Sequence, residues 1–170
     1  MRRNESKEFI GIESLKQHHR KQLDEFEEWA RNAYWMRFHH AHYDWWMFPI
    51  DRPSTHGFKW VVYDGDVDEL KKDTAFMTQF RRGLELSALA WGWNIADACE
   101  IDNPQPHQSW KNWPVRLFKM AQSAKLFGEG ADFGSLKKYA LLLMDRGNEM
   151  SYSGHDLSWL FTTGIEPKWQ

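Results

Sequence analysis

The sequence predicts a single all-α domain, and three observations carry that prediction. Apolar residues recur at steps of three and four in several windows, the period of a helix that buries one face. Helix-capping side chains, proline and glycine mark the edges of those windows. No alternation of strand and helix segments is present, which argues against a nucleotide-binding α/β fold. The 170 residues suit one domain, residues 1–170, of about six helices.

The first window covers residues 5–30. Phe9, Ile12, Leu15, His19, Leu23, Phe26 and Trp29 share a face, with Lys, Glu and Arg on the other. Gly11 weakens its first turns, so ordered helix is expected from Ile12. Tyr34–His42 reads as a second helix, stopped by Phe48-Pro49 because a residue before proline avoids the helical region. Residues 51–65 read as loop. Asp66 followed by Glu69 fits a capping box for a short helix to about Lys72, and Asp73 or Thr74 caps a longer one. In that longer helix Phe76, Phe80, Leu84 and Ala88 fall at four-residue steps, with Trp91 beyond them and Gly92 at the end. Residues 97–111 form the longest loop. Pro114 opens the next helix, where its missing N–H does no harm, and Gly128 and Gly130 close it. Asp132 is the expected cap of a further helix to Met144, and Leu157–Phe161 is the expected last, short one.

Composition narrows the function classes. The chain holds 11 Trp, 11 Phe and 5 Tyr, so aromatics are expected to dominate the core. Of these, Trp46 and Trp91 are expected inside, and Trp93, Trp110 and Trp169 partly exposed. The net charge of -2 gives no electrostatic footprint for nucleic acid. Cys99 is the one cysteine, which excludes an intrachain disulfide and Cys-x-x-Cys redox chemistry. The first residues lack the apolar stretch of a secretory signal, and no segment has the ~18 apolar residues of a membrane span. The expectation is a soluble, cytoplasmic protein.

Chemistry-bearing motifs are few. The run Phe38–Ile50 concentrates three histidines, five aromatics and a proline. On a helix His39 and His42 share a face, and with Asp44 they could offer three ligands to a metal beside an aromatic pocket. That is the basis of the alternative reading, a metal- or cofactor-dependent enzyme or carrier. It competes with histidines that simply pack near a helix end, and no His-Glu-x-x-His motif accompanies them. The other histidines are scattered without a nucleophile signature, and the acids beside Cys99 disfavour a thiolate. Asp64, Asp66, Asp68 and Glu69 suggest a calcium loop, but the glycine falls too early and the twelfth position is Ala75. Arg116, flanked by Val115 and Leu117, is either an interface arginine or the partner of an acid on a neighbouring helix. No cofactor and no catalytic residue is expected from these motifs.

Several blocks line up with a known pattern. Trp29, Tyr34 and Tyr43-Asp44-Trp45-Trp46-Met47-Phe48-Pro49-Ile50 match a tryptophan, an aromatic and a His-rich helix ending in a Trp-Leu-Phe-Pro-like motif. Asn112-Trp113-Pro114-Val115-Arg116-Leu117-Phe118-Lys119-Met120, followed by Leu126-Phe127-Gly128, matches an Asn-x-Leu-Arg-Ile-Thr-Arg-Ile-Leu block with a Leu-Gly turn. On these residues the chain resembles the conserved domain of the opioid growth factor receptor family, over roughly residues 24–145. It departs from the family where Asp44-Trp45 replaces Ile-Gln, where Ala41 stands opposite the family histidine, and where Lys119 holds the second basic position. The resemblance implies an all-helical, non-enzymatic domain and, in animal members, peptide (enkephalin) binding and growth regulation.

The expected function is therefore a binding or interaction domain with a protein or peptide partner. His42, Tyr43, Trp45 and Arg116 are the candidate contact residues. Trp29, Trp46, Phe48, Pro49 and Asn112 are the family's structural motif. A homo-oligomer through exposed aromatics is the remaining option.

Overall fold

The computed structural model describes residues 1–168; Trp169 lies outside the described residues. Among them are seven α-helices, one 3-10 helix and two minimal hairpins, so the domain is all-α. Helix α1 spans Ile12–Arg31 and starts where expected, after Gly11 at φ 92. Its buried face is Leu15, His19, Leu23, Phe26 and Trp29. Helix α5, Thr74–Leu89, packs on that face with Phe76, Phe80, Leu84 and Ala88 buried. The two helices run in the same direction, since Lys16 pairs with Asp73 at one end and Glu27 with Arg82 at the other. Asp73 caps α5 as its position suggests, accepting from the Phe76 N–H at 3.0 Å. Helices α6, Pro114–Leu126, and α7, Gly130–Asp145, form the second packed pair. Phe80 and Phe127, 4.6 Å apart, join the two pairs in one core.

Three expectations about helix ends are corrected. The second helix does not reach His42: α2 spans Trp35–His40, Ala41 is extended, and α3 spans Asp44–Met47. The break has a tertiary cause. Arg116 on α6 donates to the carbonyls of Phe38 and Ala41 at 2.6 and 2.7 Å, which a continuous helix would keep for itself. Asp66 is not an N-cap. Helix α4 spans Asp64–Lys71, and the Asp66 carboxylate reaches back to the Tyr63 and Asn4 N–H groups at 3.0 and 2.8 Å. Asp132 sits in the first turn of α7, behind Glu129, rather than capping it.

The hairpins were not legible from periodicity. Strand β1, Trp93–Asn94, pairs with β2, Cys99–Glu100, and β3, Ser151–Tyr152, pairs with β4, His155–Asp156. The last helical segment, Ser158–Phe161, is 3-10. The first hairpin overturns the expected exposure of Trp93. It turns the indole onto α7, where Trp93 is buried, donates to Ser135 Oγ at 3.0 Å and lies 4.8 Å from the Tyr139 ring. Trp91 is buried and Trp110 half-buried beside the same tyrosine.

Gly92 makes that turn possible. Its φ is +77, and an added Cβ would lie 2.9 Å from the Gln108 carbonyl oxygen. Gly92→Ala is therefore expected to destabilise the domain by about 1–3 kcal/mol. Chemical denaturation followed by tryptophan fluorescence measures it, and an unchanged midpoint would refute the steric argument.

Candidate functional site

Helix α6 presents two faces. Leu117, Met120, Ala121 and Ala124 go into the core, while Val115, Phe118 and Lys119, spaced by three and four, line a cleft. The opposite wall comes from the β3–β4 hairpin and the 3-10 segment, through Tyr152, Leu157 and Trp159. The 50–55 loop supplies Ile50 and Arg52, and α3 supplies Trp45. The cleft holds about 410 Å³. Apolar walls with a few convergent polar groups are the usual composition of a ligand site of that size.

The walls are ordered by ring contacts. Trp159 meets Phe118 edge-on at 5.6 Å, and Trp45 meets His56 edge-on at 4.4 Å. The Arg52 guanidinium lies 5.6 Å from both the Phe118 and the Trp159 ring. It is paired with Glu166 by two hydrogen bonds of 2.7 and 3.0 Å. The Lys119 ammonium sits 4.8 Å above the Trp45 ring. No acid pairs with it among the described residues. Burial lowers the Lys119 pKa below the ordinary lysine range, and Arg116 adds to the effect while Asp44 opposes it. The floor of the cleft is thus a cation without a counter-ion.

Trp45 and Lys119 owe their positions to one buried ion pair beneath them. Asp44 Oδ1 accepts from Arg116 Nε at 2.6 Å, and both side chains are buried. Asp44 precedes Trp45 on α3, and Arg116 stands one turn before Lys119 on α6, so the pair locks the two elements in register. Arg116 also lies 4.1 Å from the Tyr43 ring and 4.9 Å from the Trp113 ring.

This geometry divides the four expected contact residues. Trp45 lines the cleft. His42 is exposed but lies apart, edge-on to Trp113 at 6.2 Å. Tyr43 and Arg116 are corrected: both are buried and neither offers a surface contact. The Tyr43 hydroxyl donates to the Phe38 carbonyl at 2.9 Å, and burial pushes its pKa up to about 12. Arg116 satisfies α2 and Asp44, which is the ion pair to a neighbouring helix that its sequence position also allowed.

The remaining motif residues have structural surroundings. Trp29 and Phe48 are buried in the core. Pro49 is buried too, and its carbonyl accepts from Ser123 Oγ at 2.8 Å. Trp46 is half-buried, 5.3 Å from Trp60 and bonded to Gln22 Oε1 at 3.3 Å. Asn112 is exposed at φ 61, at the turn into α6.

His39, His42 and Asp44 do not converge as a ligand set. His39 Nε2 is bonded to the His107 carbonyl at 2.7 Å, Asp44 is engaged by Arg116, and His42 faces Trp113. Among the described residues no three His, Cys, Asp or Glu side chains are grouped as metal ligands would be. The cofactor-enzyme alternative therefore loses the cluster on which it was built. The residues that sequence reasoning missed are Lys119, Arg52, Phe118 and Trp159. The family-like block drew attention to Lys119 only as a departure, and nothing local marks the other three as neighbours.

No family model, no curated protein and no solved structure matches this chain. The likeness to the opioid growth factor receptor domain rests on the motif residues alone.

Proposed function

We propose that this is a non-enzymatic binding domain, of the kind the opioid growth factor receptor resemblance implies, and that its cleft receives an apolar side chain of a peptide or protein partner. The cleft is the observation that carries this reading: about 410 Å³ between Trp45, Phe118 and Trp159, with an unpaired lysine at its floor. An aromatic or aliphatic side chain fills such a space, and rigid aromatic walls give contact area at low entropic cost. The adjoining depression supports a peptide over a small molecule. It holds about 750 Å³, is lined by Asn112, Asn148 and Glu149 among others, and shares Val115 and Tyr152 with the cleft. Together the two offer a track for an extended segment.

The test is selection from a displayed random-peptide library, scored against the wild-type chain and Trp45→Ala in parallel. Trp45 is half-buried at the edge of the core, so the variant is expected to keep the circular dichroism spectrum and solution mass of the wild type. Selected peptides should share an apolar anchor and lose about 30-fold in affinity for the variant, the usual cost of truncating a central aromatic contact. If every selected peptide binds both proteins equally, the cleft is not the site.

A further inference from the structure

We propose that the partner's anchor carries a carboxylate beside its apolar group, that Arg52 and Lys119 receive it next to Trp45, and that Glu166 of this same chain holds Arg52 until it is displaced. The inference rests on the reading of the cleft as a peptide site and names the chemistry of its occupant.

Three donors around the cleft have no acceptor among the described residues. They are the Trp45 indole Nε1–H and the Arg52 Nε–H, both buried, and the Lys119 ammonium. Buried donors are nearly always satisfied, so two of them beside an unpaired ammonium ask for an oxygen-bearing ligand. All three residues line a recess of about 10 Å³ that shares Trp45, Ile50, Arg52, Ser54 and Lys119 with the larger cleft. That is room for about one oxygen atom. An apolar cleft that shares Trp45, Arg52 and Lys119 with an oxygen-sized recess matches a side chain with an adjacent carboxylate.

The charges agree. The acids that line the cleft are Asp156 and Glu166. Asp156 is occupied by the Ser158 N–H at 2.8 Å, and Glu166 by Arg52. Asp44, the acid behind Lys119, is bound to Arg116. No acid of the cleft is paired with Lys119, so a carboxylate that reaches it gains a charge-assisted contact.

Glu166 shows how such a ligand would bind. Its two oxygens meet Arg52 Nη1 and Nη2 in the paired geometry by which arginine recognises any carboxylate. The pair is 33% and 42% exposed, so water screens it and a competing carboxylate can reach it. A peptide carboxylate shares Arg52 with Glu166 and gains Lys119 and the recess in addition, neither of which Glu166 contacts. The occupant is therefore a peptide with Asp or Glu beside an aromatic or aliphatic residue.

The experiment uses the full chain, 15N-labelled, with the Trp45 indole N–H as the reporter. One probe is a pool of acetylated tripeptide amides in which Phe, Leu or Trp precedes Glu; the other is the matching pool with Gln. The Glu pool should bind about tenfold more tightly than the Gln pool, the worth of one charge-assisted contact. Glu166→Gln should tighten the Glu pool about threefold and leave the Gln pool unchanged, because a competitor has been removed. Lys119→Met should shrink the preference for Glu, and an unchanged preference would overturn the part assigned to Lys119. Equal shifts from both pools would overturn the carboxylate assignment while leaving the apolar cleft standing. No shift of Trp45 from either pool would overturn both readings. An unchanged affinity in Glu166→Gln would overturn the displacement.

Discussion

Arg116→Met should lower the unfolding free energy by about 3–5 kcal/mol, a large fraction of what a domain this size possesses. The substitution keeps the apolar stem and removes the guanidinium. It strips Asp44 of its counter-ion and the Ala41 carbonyl of its donor, and it leaves the Phe38 carbonyl with the Tyr43 hydroxyl alone, all at one buried place. The cost comes from what is left behind: a buried carboxylate without a partner, and an Ala41 carbonyl at the helix break without a donor. The double variant Arg116→Met with Asp44→Leu should recover much of the loss, because an ion pair replaced whole by apolar groups is often nearly neutral. Urea unfolding at neutral pH measures both. A single-variant loss below about 1 kcal/mol would show that the pair is not the lock between α3 and α6. Since that lock places Trp45 over Lys119, the double variant should fold yet bind the Glu-containing peptides less tightly than the wild type does.

Acid should destabilise the domain well above the range where carboxylates protonate, and His19 should be the main reason. The His19 ring is fully buried on α1, 5.0 Å from the Phe76 ring and 6.3 Å from the Phe80 ring. Neither ring nitrogen makes a hydrogen bond of good geometry, and only the Met47 backbone favours the charged ring. Burial pushes its pKa down to about 3, against 6.5 for the free side chain. Between those values the unfolded chain binds a proton that the folded chain refuses. Stability therefore falls as pH drops from about 6.5 towards 3, by up to about 1.4 kcal/mol per unit. His39, lowered by burial as well, acts in the same sense. His19→Leu removes two poorly satisfied nitrogens from the core and should flatten the stability profile by about one proton in that window, with the neutral-pH stability unchanged or raised. Parallel slopes for the wild type and His19→Leu would refute the assignment.

How far these effects were legible in the sequence differs from residue to residue. His19 falls on the apolar stripe of the first helical window, so its burial follows from periodicity; the poor hydrogen bonding of its ring does not. Arg116 was visible as an arginine between apolar neighbours, but the choice between a surface contact and a buried ion pair depends on what faces it. Its partners lie 72 to 78 residues away in the chain. Trp93 was misjudged for the same reason. Its indole finds Ser135 across 42 residues, through a two-residue hairpin too short to leave a periodic signature.

The cleft is the extreme case. Its lining comes from α3, the 50–55 loop, α6, a hairpin and Glu166, and in each of these the residue concerned looks ordinary. What the sequence by itself determined is local: helical faces repeating every three to four residues, the Asp73 cap, Pro114 at a helix start, and an aromatic-rich core. These follow from backbone geometry and side-chain chemistry within one turn or two. Only the tertiary structure decided which cations kept a counter-ion. Arg116 met Asp44, Arg52 met Glu166 and Lys119 met an aromatic ring, because charge pairing is settled by which faces come together in space.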